Sequence, residues 1–359
     1  MASLTASDNA IPVRYIALLG DVLQRQGVNL PAMLTAANIA PSSLANPDGW
    51  LSLEQLDALI PHAIEQTGRS DLALDLGQMI RLSAHSIVGY GILSSPSIEY
   101  ALRLAARYFS LILPAFRMRL DYDAEHADLS YRPVLPMRHQ TLCFLLEVLA
   151  AATHCDIEEL LNGPMPPYGL FLSYAEPPHR KRYGELTGAR CHFGQGLAPA
   201  QGPGLRMRFD ISLIRRAPTL ADASALRTAE ERCRATTQRS VTHGKVSDWV
   251  SMMLRESSSG MPGLDELAHL RNLSARTLDR HLKREGFGFR DLLKSARHEK
   301  ACRMLIANRL GITEIALELG YTDAANFTRA FRAQFGLSPS AYRREQLAAE
   351  SGPESAAGR

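Results

Sequence analysis

Two arginines occupy matching places in a stretch of chain that repeats itself. Arg280 and Arg329 each lie six residues after a residue that starts helices well, Ser274 and Asp323. An arginine held at such a place on an outer helix face can donate two hydrogen bonds to O6 and N7 of guanine, worth ~1–3 kcal/mol of discrimination. Lys283, Arg284, Arg332, Arg343 and Arg344 surround them. These cations suit phosphates, which fix register without reading sequence; the plainer alternative for each is a solvated charged face. Other chemistries find little support. There is no HExxH, no phosphate-binding GxxxxGK[ST] and no G-x-S-x-G. Gly89-x-Gly91 lacks the rest of a dinucleotide fingerprint. His154 and Cys155 are adjacent and cannot share a helix face, so with His139 they read as structural. No catalytic residue and no metal ligand is assigned.

The arginines need helices to present them. Leu264 to Gly286 has the layout of a helix-turn-helix. Asp265 and Glu266 favour a helix start, Ala268 allows close approach, Asn272 suits a left-handed turn, and Ser274 caps the second helix. That helix buries Leu278 and Leu282, one turn apart. About 49 residues later the pattern returns: Ile312, Ile315, Ala316 and Leu319 follow helical spacing, Gly320 stops the helix, and Asp323 caps the next. Phe327, Ala330, Phe331 and Phe335 make its inner face, while Ala324, Asn326, Thr328, Arg329 and Arg332 remain outside. Between the units, Phe289 to Ala307 reads as a helix with Leu292, Leu293, Ala296, Ala301 and Leu305 buried. It is long enough to hold two recognition helices, 275–285 and 324–335, ~34 Å apart, the spacing of successive major-groove faces. One helix-turn-helix pattern is weak evidence, since plain bundles share it; two tandem copies with the same caps are strong.

Composition agrees. From Ser240 to Glu345, 17 Lys+Arg stand against 12 Asp+Glu, although the whole chain carries only +3. A weakly acidic larger part is thus joined to a basic smaller part. At 359 residues the chain suits two domains, and its 21% charged and 46% hydrophobic content excludes a disordered or low-complexity chain. The five cysteines are odd in number and form no CxxC, which argues against a disulfide framework or a zinc site and fits a reducing compartment. The longest apolar stretch, Leu142 to Ala152, is broken by Glu147, and no signal peptide is read, so the expectation is a cytoplasmic protein without membrane spans.

The larger part reads as α+β. Helices are expected over Tyr15–Gln26, after Ser52, after Ser97 and over Gln140–Leu161. Strands are expected over Arg117–Tyr131, broken by a turn at Asp123-Ala-Glu-His126, and over Leu170–Tyr174 and Leu205–Phe209. Leu220, Ala223, Leu226, Ala229 and Cys233 form a narrow stripe. It marks a helix packed on its own domain or, alternatively, a dimer-contact helix. Tyr90, Phe109 and Phe116 read as core rather than as an effector pocket, which the sequence does not locate.

The C-terminal third resembles the AraC/XylS family of bacterial transcription regulators. The residues carrying this are Leu273-Ser274, Arg276 to Leu282, Glu285-Gly286-Phe287, Phe289 to Leu293, Arg297, Ala301 and Leu305. The densest run is Ile315-Ala316, Leu319 to Asp323, Phe327 to Phe331 and Phe335 to Arg343. The match spans roughly Lys245 to Arg344. One position departs: Arg271 stands where an aliphatic residue is usual, so either Leu270 takes the core role or the first helix is slightly rotated. The first ~215 residues resemble more loosely the arabinose-binding-like, non-cupin sensor region of one branch, through Gly89 to Ser95, the Ala101–Tyr108 helix, Pro178-His179, Tyr183 and Phe193-Gly194.

The expected division is a sensing and dimerisation domain over 1–215, a linker over 216–244 holding the helix that packs on its own domain or contacts a dimer partner, a double helix-turn-helix DNA-binding domain over 245–345 and a disordered tail over 346–359. The resemblance implies base contacts from Arg276, Asp279, Arg280, Asn326, Thr328 and Arg329. Asp279 accepts from cytosine N4 or orients Arg276 or Arg280. Ala324 and Ala325 offer a base only a methyl contact, so the second unit reads fewer bases. The expected protein is a homodimeric, effector-responsive activator that contacts RNA polymerase; no cofactor is implied beyond a small-molecule effector. A repressor, or a ligand-independent regulator controlled by a protein partner or by abundance, is the alternative.

Overall fold

The computed structural model describes residues 10–194, 202–237, 246–255, 261–271, 273–307 and 310–350. They fall into an N-terminal unit, residues 10–194 and 203–237, and a C-terminal unit, Gly202 and residues 246–350. The N-terminal unit begins with a two-residue strand, β1 (Ile11–Pro12), that pairs antiparallel with β2 (Trp50–Leu51). Around it lie α1 (Val13–Arg25), α2 (Leu30–Ala36), α3 (Leu53–Thr67), α4 (Leu72–Met79), α5 (Ser86–Leu93), α6 (Ile98–Arg107) and the single turn α7 (Phe109–Ile112). Ser52 caps α3 in a capping box with Gln55, and Ser97 caps α6 by accepting from the Tyr100 amide, as their positions predict.

A five-stranded sheet follows, built from β3 (Phe116–Tyr122), β4 (His126–Pro133), β5 (Tyr168–Leu172), β6 (Ala189–Phe193) and β7 (Leu205–Asp210). Its order is β3-β4-β7-β5-β6, and only the β5–β6 pair is parallel. The expected turn is present: Asp123 Oδ1 accepts from the amides of Glu125 and His126, both at 2.8 Å. Leu170, Leu172, Leu205, Met207 and Phe209 alternate inward and are buried. Across the sheet, Arg208 donates to both oxygens of its register partner Asp128, at 2.8 and 2.6 Å.

Between β4 and β5 runs α8 (His139–Leu161). By length and composition it could cross a membrane, yet 78% of its most apolar window is buried inside this unit, so it is the core helix. Thr153 meets the Tyr131 hydroxyl of β4 at 2.8 Å, and His154 Nδ1 meets the Tyr168 hydroxyl of β5 at 3.0 Å. After α9 (Ile211–Ile214), α10 (Ala223–Thr237) lies along α5. Leu226, Ala229 and Cys233 are buried in this contact, whereas Leu220 precedes the helix and is 66% exposed, so it is no part of the stripe. Gly89 and Gly91 are packing sites and not a nucleotide loop. A Cβ on Gly91 would stand 3.3 Å from Ala229 Cβ, and one on Gly89 only 1.8 Å from the Leu82 carbonyl oxygen.

The C-terminal unit is all α: α11 (Val246–Arg255), α12 (Leu264–Leu270), α13 (Ala275–Arg284), α14 (Phe289–Ala307), α15 (Ile312–Glu318), α16 (Ala324–Phe335) and α17 (Pro339–Glu350). Ala301, Leu305, Ile315, Ala316, Leu319, Phe327 and Phe331 form one core cluster. Phe335, expected inside, is partly exposed but keeps its ring 4.5 Å from that of Phe331. Leu292 and Leu293 are half-buried rather than buried.

Candidate nucleic-acid interface

In the first helix-turn-helix, the Gly263 amide at the start of α12 donates to Glu266 Oε2 at 2.7 Å. Leu267 and Ala268 face inward. Ser274 caps α13 by accepting from the Thr277 amide at 3.2 Å, and the two hydroxyls bond at 2.8 Å. Leu278 and Leu282 are fully buried, which fixes the opposite face outward. Arg276, Arg280, Lys283 and Arg284 are all exposed there. Asp279 is half-buried and forms an ion pair with Lys283, Oδ2 to Nζ 2.7 Å. Among the described residues that is the ion pair it makes, so it orients Lys283 and not Arg276 or Arg280. Arg271 places its guanidinium 5.2 Å from the centre of the buried Trp249 ring of α11. A cation–π contact thus stands where an aliphatic residue is usual, while Leu270 is half-buried. Asn272 lies outside the described residues.

The second unit repeats the design. The Gly311 amide donates to Glu314 Oε2 at 2.7 Å. Gly320, at φ 78°, makes the left-handed turn that L side chains avoid. Asp323 Oδ1 accepts from the Asn326 amide at 2.6 Å and starts α16. Asn326 is then almost fully engaged. Its Nδ2 donates to Thr322 Oγ1 at 2.7 Å and Asp323 Oδ2 at 2.8 Å, and its Oδ1 accepts from Arg329 Nη2. The exposed Arg329 is therefore tethered by the same side chain that closes the cap. Thr328 turns its hydroxyl back onto the Ala324 carbonyl at 2.7 Å. Arg332 and Arg344 are exposed, but Arg343 is half-buried and donates to the Leu310 carbonyl at 2.7 Å.

Sequence reasoning left Glu285 without a role. It follows α13 and accepts from the amides of Val246 and Ser247 at 2.9 and 2.7 Å, so it caps α11 across 39 residues of chain. Burial works against its charge, but those amides outweigh burial and hold the carboxyl below its ordinary value. The Gly-x-x-Glu starts of α12 and α15 were also unremarked, although Gly263-Leu-Asp-Glu266 and Gly311-Ile-Thr-Glu314 stand in the sequence as a repeat. Away from this unit, His154 is buried and lies 3.4 Å from Glu158, and His139 Nε2 is 3.5 Å from Cys143 Sγ. Among the described residues no cluster of His, Cys, Asp or Glu could hold a metal ion.

Comparison with known proteins follows the same division. Residues 27–200 match the family described as the arabinose-binding domain of AraC transcription regulator, N-terminal, and residues 267–345 match a helix-turn-helix domain. The ornithine utilization regulator of Pseudomonas aeruginosa is 30% identical over 93% of this chain and 96% of its own length. VqsM of the same organism is 26% identical over 80% of this chain and 92% of its own. Among solved structures, the P. aeruginosa regulator CdpR aligns over 88% of this chain and 96% of its own, with 22% identity and a TM-score of 0.43. Both sequence relatives are named as regulators, VqsM as a helix-turn-helix transcriptional regulator. With a relative at this identity along nearly its whole length, the chain belongs to the AraC family of DNA-binding transcription regulators.

Proposed function

We propose that the chain is an effector-responsive transcription activator that reads two successive major-groove faces of duplex DNA through α13 and α16. One observation carries this: Arg280 and Arg329 both stand exposed, six residues after a bonded cap, on two helices of the same design. Arg276, Arg280 and Arg329 are the direct base readers in this reading. Asn326 holds Arg329, Asp279 holds Lys283, and Thr328 has only acceptor capacity left for a base. Lys283, Arg284, Arg332 and Arg344 contact phosphate, whereas Arg343 supports α17. The N-terminal unit senses a small molecule and dimerises in the cytoplasm, and the DNA-bound dimer contacts RNA polymerase. Effector binding acts by shifting the population of DNA-binding arrangements, which requires different affinities for them.

The test is selection of DNA fragments by the purified full chain at near-physiological salt. Two blocks about one helical turn apart are expected. Arg280→Ala should relax preference at one or two base positions. Lys283→Ala should weaken all sequences alike and lower the salt slope by about one. Uniform weakening by both variants would refute the assignment of Arg280 as a base reader.

A further inference from the structure

A cleft of about 330 Å³ opens in the N-terminal unit beside the first half of α8. That lies within the usual range for small-molecule sites, roughly 300–1,000 Å³. Its walls are mainly apolar and aromatic, with Ile64, Phe144, Tyr174 and Pro177 among them, and its deepest charge is Glu147. Glu147 is only 3% exposed, and burying a carboxylate is costly unless donors surround it. Here they do, on one side. Oε1 lies 2.8 Å from the Tyr183 hydroxyl, 2.9 Å from His179 Nε2 and 3.2 Å from the Tyr174 hydroxyl, and the two hydroxyls, 2.7 Å apart, share their two protons among these contacts. The His179 ring is fixed in turn by Ser70 Oγ, 2.9 Å from its Nδ1. Burial, together with the neighbouring carboxylate, raises both tyrosine hydroxyls well above their ordinary range, so they stay donors. Oε2 has no hydrogen-bond partner among the described residues. The cleft is thus lined by a buried carboxylate with one oxygen saturated and the other open.

The occupant's chemistry follows by elimination. An anion would meet this carboxylate at close range, and a purely apolar ligand would leave Oε2 unsatisfied. An ammonium group satisfies both the charge and the open acceptor, and the rings of Phe144 and Tyr174 add cation–π surface. Glu176 at the rim is paired with Arg180 at 3.4 Å, and both are more than half exposed; inside, Glu147 meets His179 at 2.9 Å through Oε1, which leaves Oε2 to a ligand. We infer that this cleft binds a small organic amine through its ammonium group, with Glu147 as the counter-charge. The inference deepens the effector reading above and rests on it only for the consequence at DNA, not for binding.

The full chain would be titrated with n-butylamine and butane-1,4-diamine, using butan-1-ol and butyrate as size-matched controls. Thermal unfolding and calorimetry are the readouts. Both amines should raise the unfolding temperature in proportion to the logarithm of their concentration, and the controls should not. Glu147→Gln should weaken amine binding at least ~tenfold, the loss expected for a hydrogen bond to a charged group. Should that variant fail to fold, Ala175→Trp, at an exposed residue that lines the cleft, adds an indole at the cleft wall while keeping Glu147 and should weaken amine binding. Equal response to butan-1-ol and butylamine, or undiminished amine affinity in Ala175→Trp, would overturn the inference. DNA retention is measured on the same preparations. Specific DNA binding without amine preference sinks the cleft and leaves the regulator. Amine binding without any specific DNA site does the reverse.

Discussion

Glu285→Ala should cost the DNA-binding unit about 2 kcal/mol at pH 7. The side chain accepts two charge-assisted bonds, at 2.9 and 2.7 Å, from the first amides of α11. Loss of a helix cap costs about 1 kcal/mol and up to ~2, and a single bond to a charged group contributes ~1.5–3. Water replaces part of this because Glu285 is only half-buried, which leaves the value near the top of the capping range. In a unit of roughly a hundred residues that lowers the midpoint by about 10 °C. The assay is thermal unfolding of the full chain followed by Trp249 fluorescence in a Trp50→Phe background, since Trp249 is buried in α11 beside the cap and these are the two tryptophans. The folded carboxyl sits below its ordinary value, so its contribution is present above the unfolded carboxyl pKa and is lost as pH falls through the folded one. The gap between wild type and Glu285→Ala should therefore close below about pH 4. Glu285→Gln, an acceptor without charge, should fall between the two at pH 7. A deficit that stays constant from pH 7 down to about pH 2 would show that the ionised carboxylate is not what holds α11.

Three further outcomes follow from side chains whose partners are fixed. If Arg329 reads a base as proposed, Asn326→Ala should loosen preference there by about tenfold and add little to Arg329→Ala; additive losses in a double-mutant cycle would separate the two residues. Gly89→Ala, which puts a Cβ 1.8 Å from a backbone oxygen, should cost about 3 kcal/mol or more, against about 1 for Gly91→Ala, where a leucine methyl can move; a reversed order in urea unfolding would contradict the packing. Burial opposes charge on His85, but Tyr15 and Asp156 outweigh it and push the imidazole up to about 10. The stabilisation is complete below the ordinary value of 6.5 and lost as pH rises to about 10. The stability gap between wild type and Asp156→Asn should be widest near pH 6 and vanish above pH 10, and a gap that grows with pH would exclude a charged His85.

The C-terminal unit was the more legible half because its signals are local. Ser274 and Asp323 bond amides three residues away, and Leu278 and Leu282 repeat within one turn, so spacing alone places the arginines. The N-terminal unit yielded its strong alternations, β3, β4, β5 and β7, but not the two-residue β1 and β2 and not β6. Ala189-Arg190-Cys191-His192-Phe193 is a sheet edge with no fully buried residue, so no inward–outward pattern was available to read. Phe109 and Phe116 are core, as their type suggests, but Tyr90 is 64% exposed, because α5 turns that face outward.

What stayed hidden was pairing at long range, and it changes what the residues can do. Glu147 appears in the sequence only as the charge that interrupts an apolar run; its three donors come from 27, 32 and 36 residues further on. A family pattern likewise names positions but not commitments. Asp279 and Asn326 fall at places where base contacts are expected, yet one is bound to Lys283 and the other to the Asp323 cap and Arg329. Asn326 can donate to a base only by giving up one of those contacts, at about 1 kcal/mol for each bond, and Asp279 can accept from a base only while its charge is shared with Lys283. Arg276 and Arg280 bear no such cost, and Arg329 approaches DNA with part of its side-chain freedom already removed by Asn326. On that argument specificity should concentrate on guanines facing these three arginines. The positions opposite Asp279 and Thr328 should tolerate substitution, a pattern that the selected DNA sites display directly.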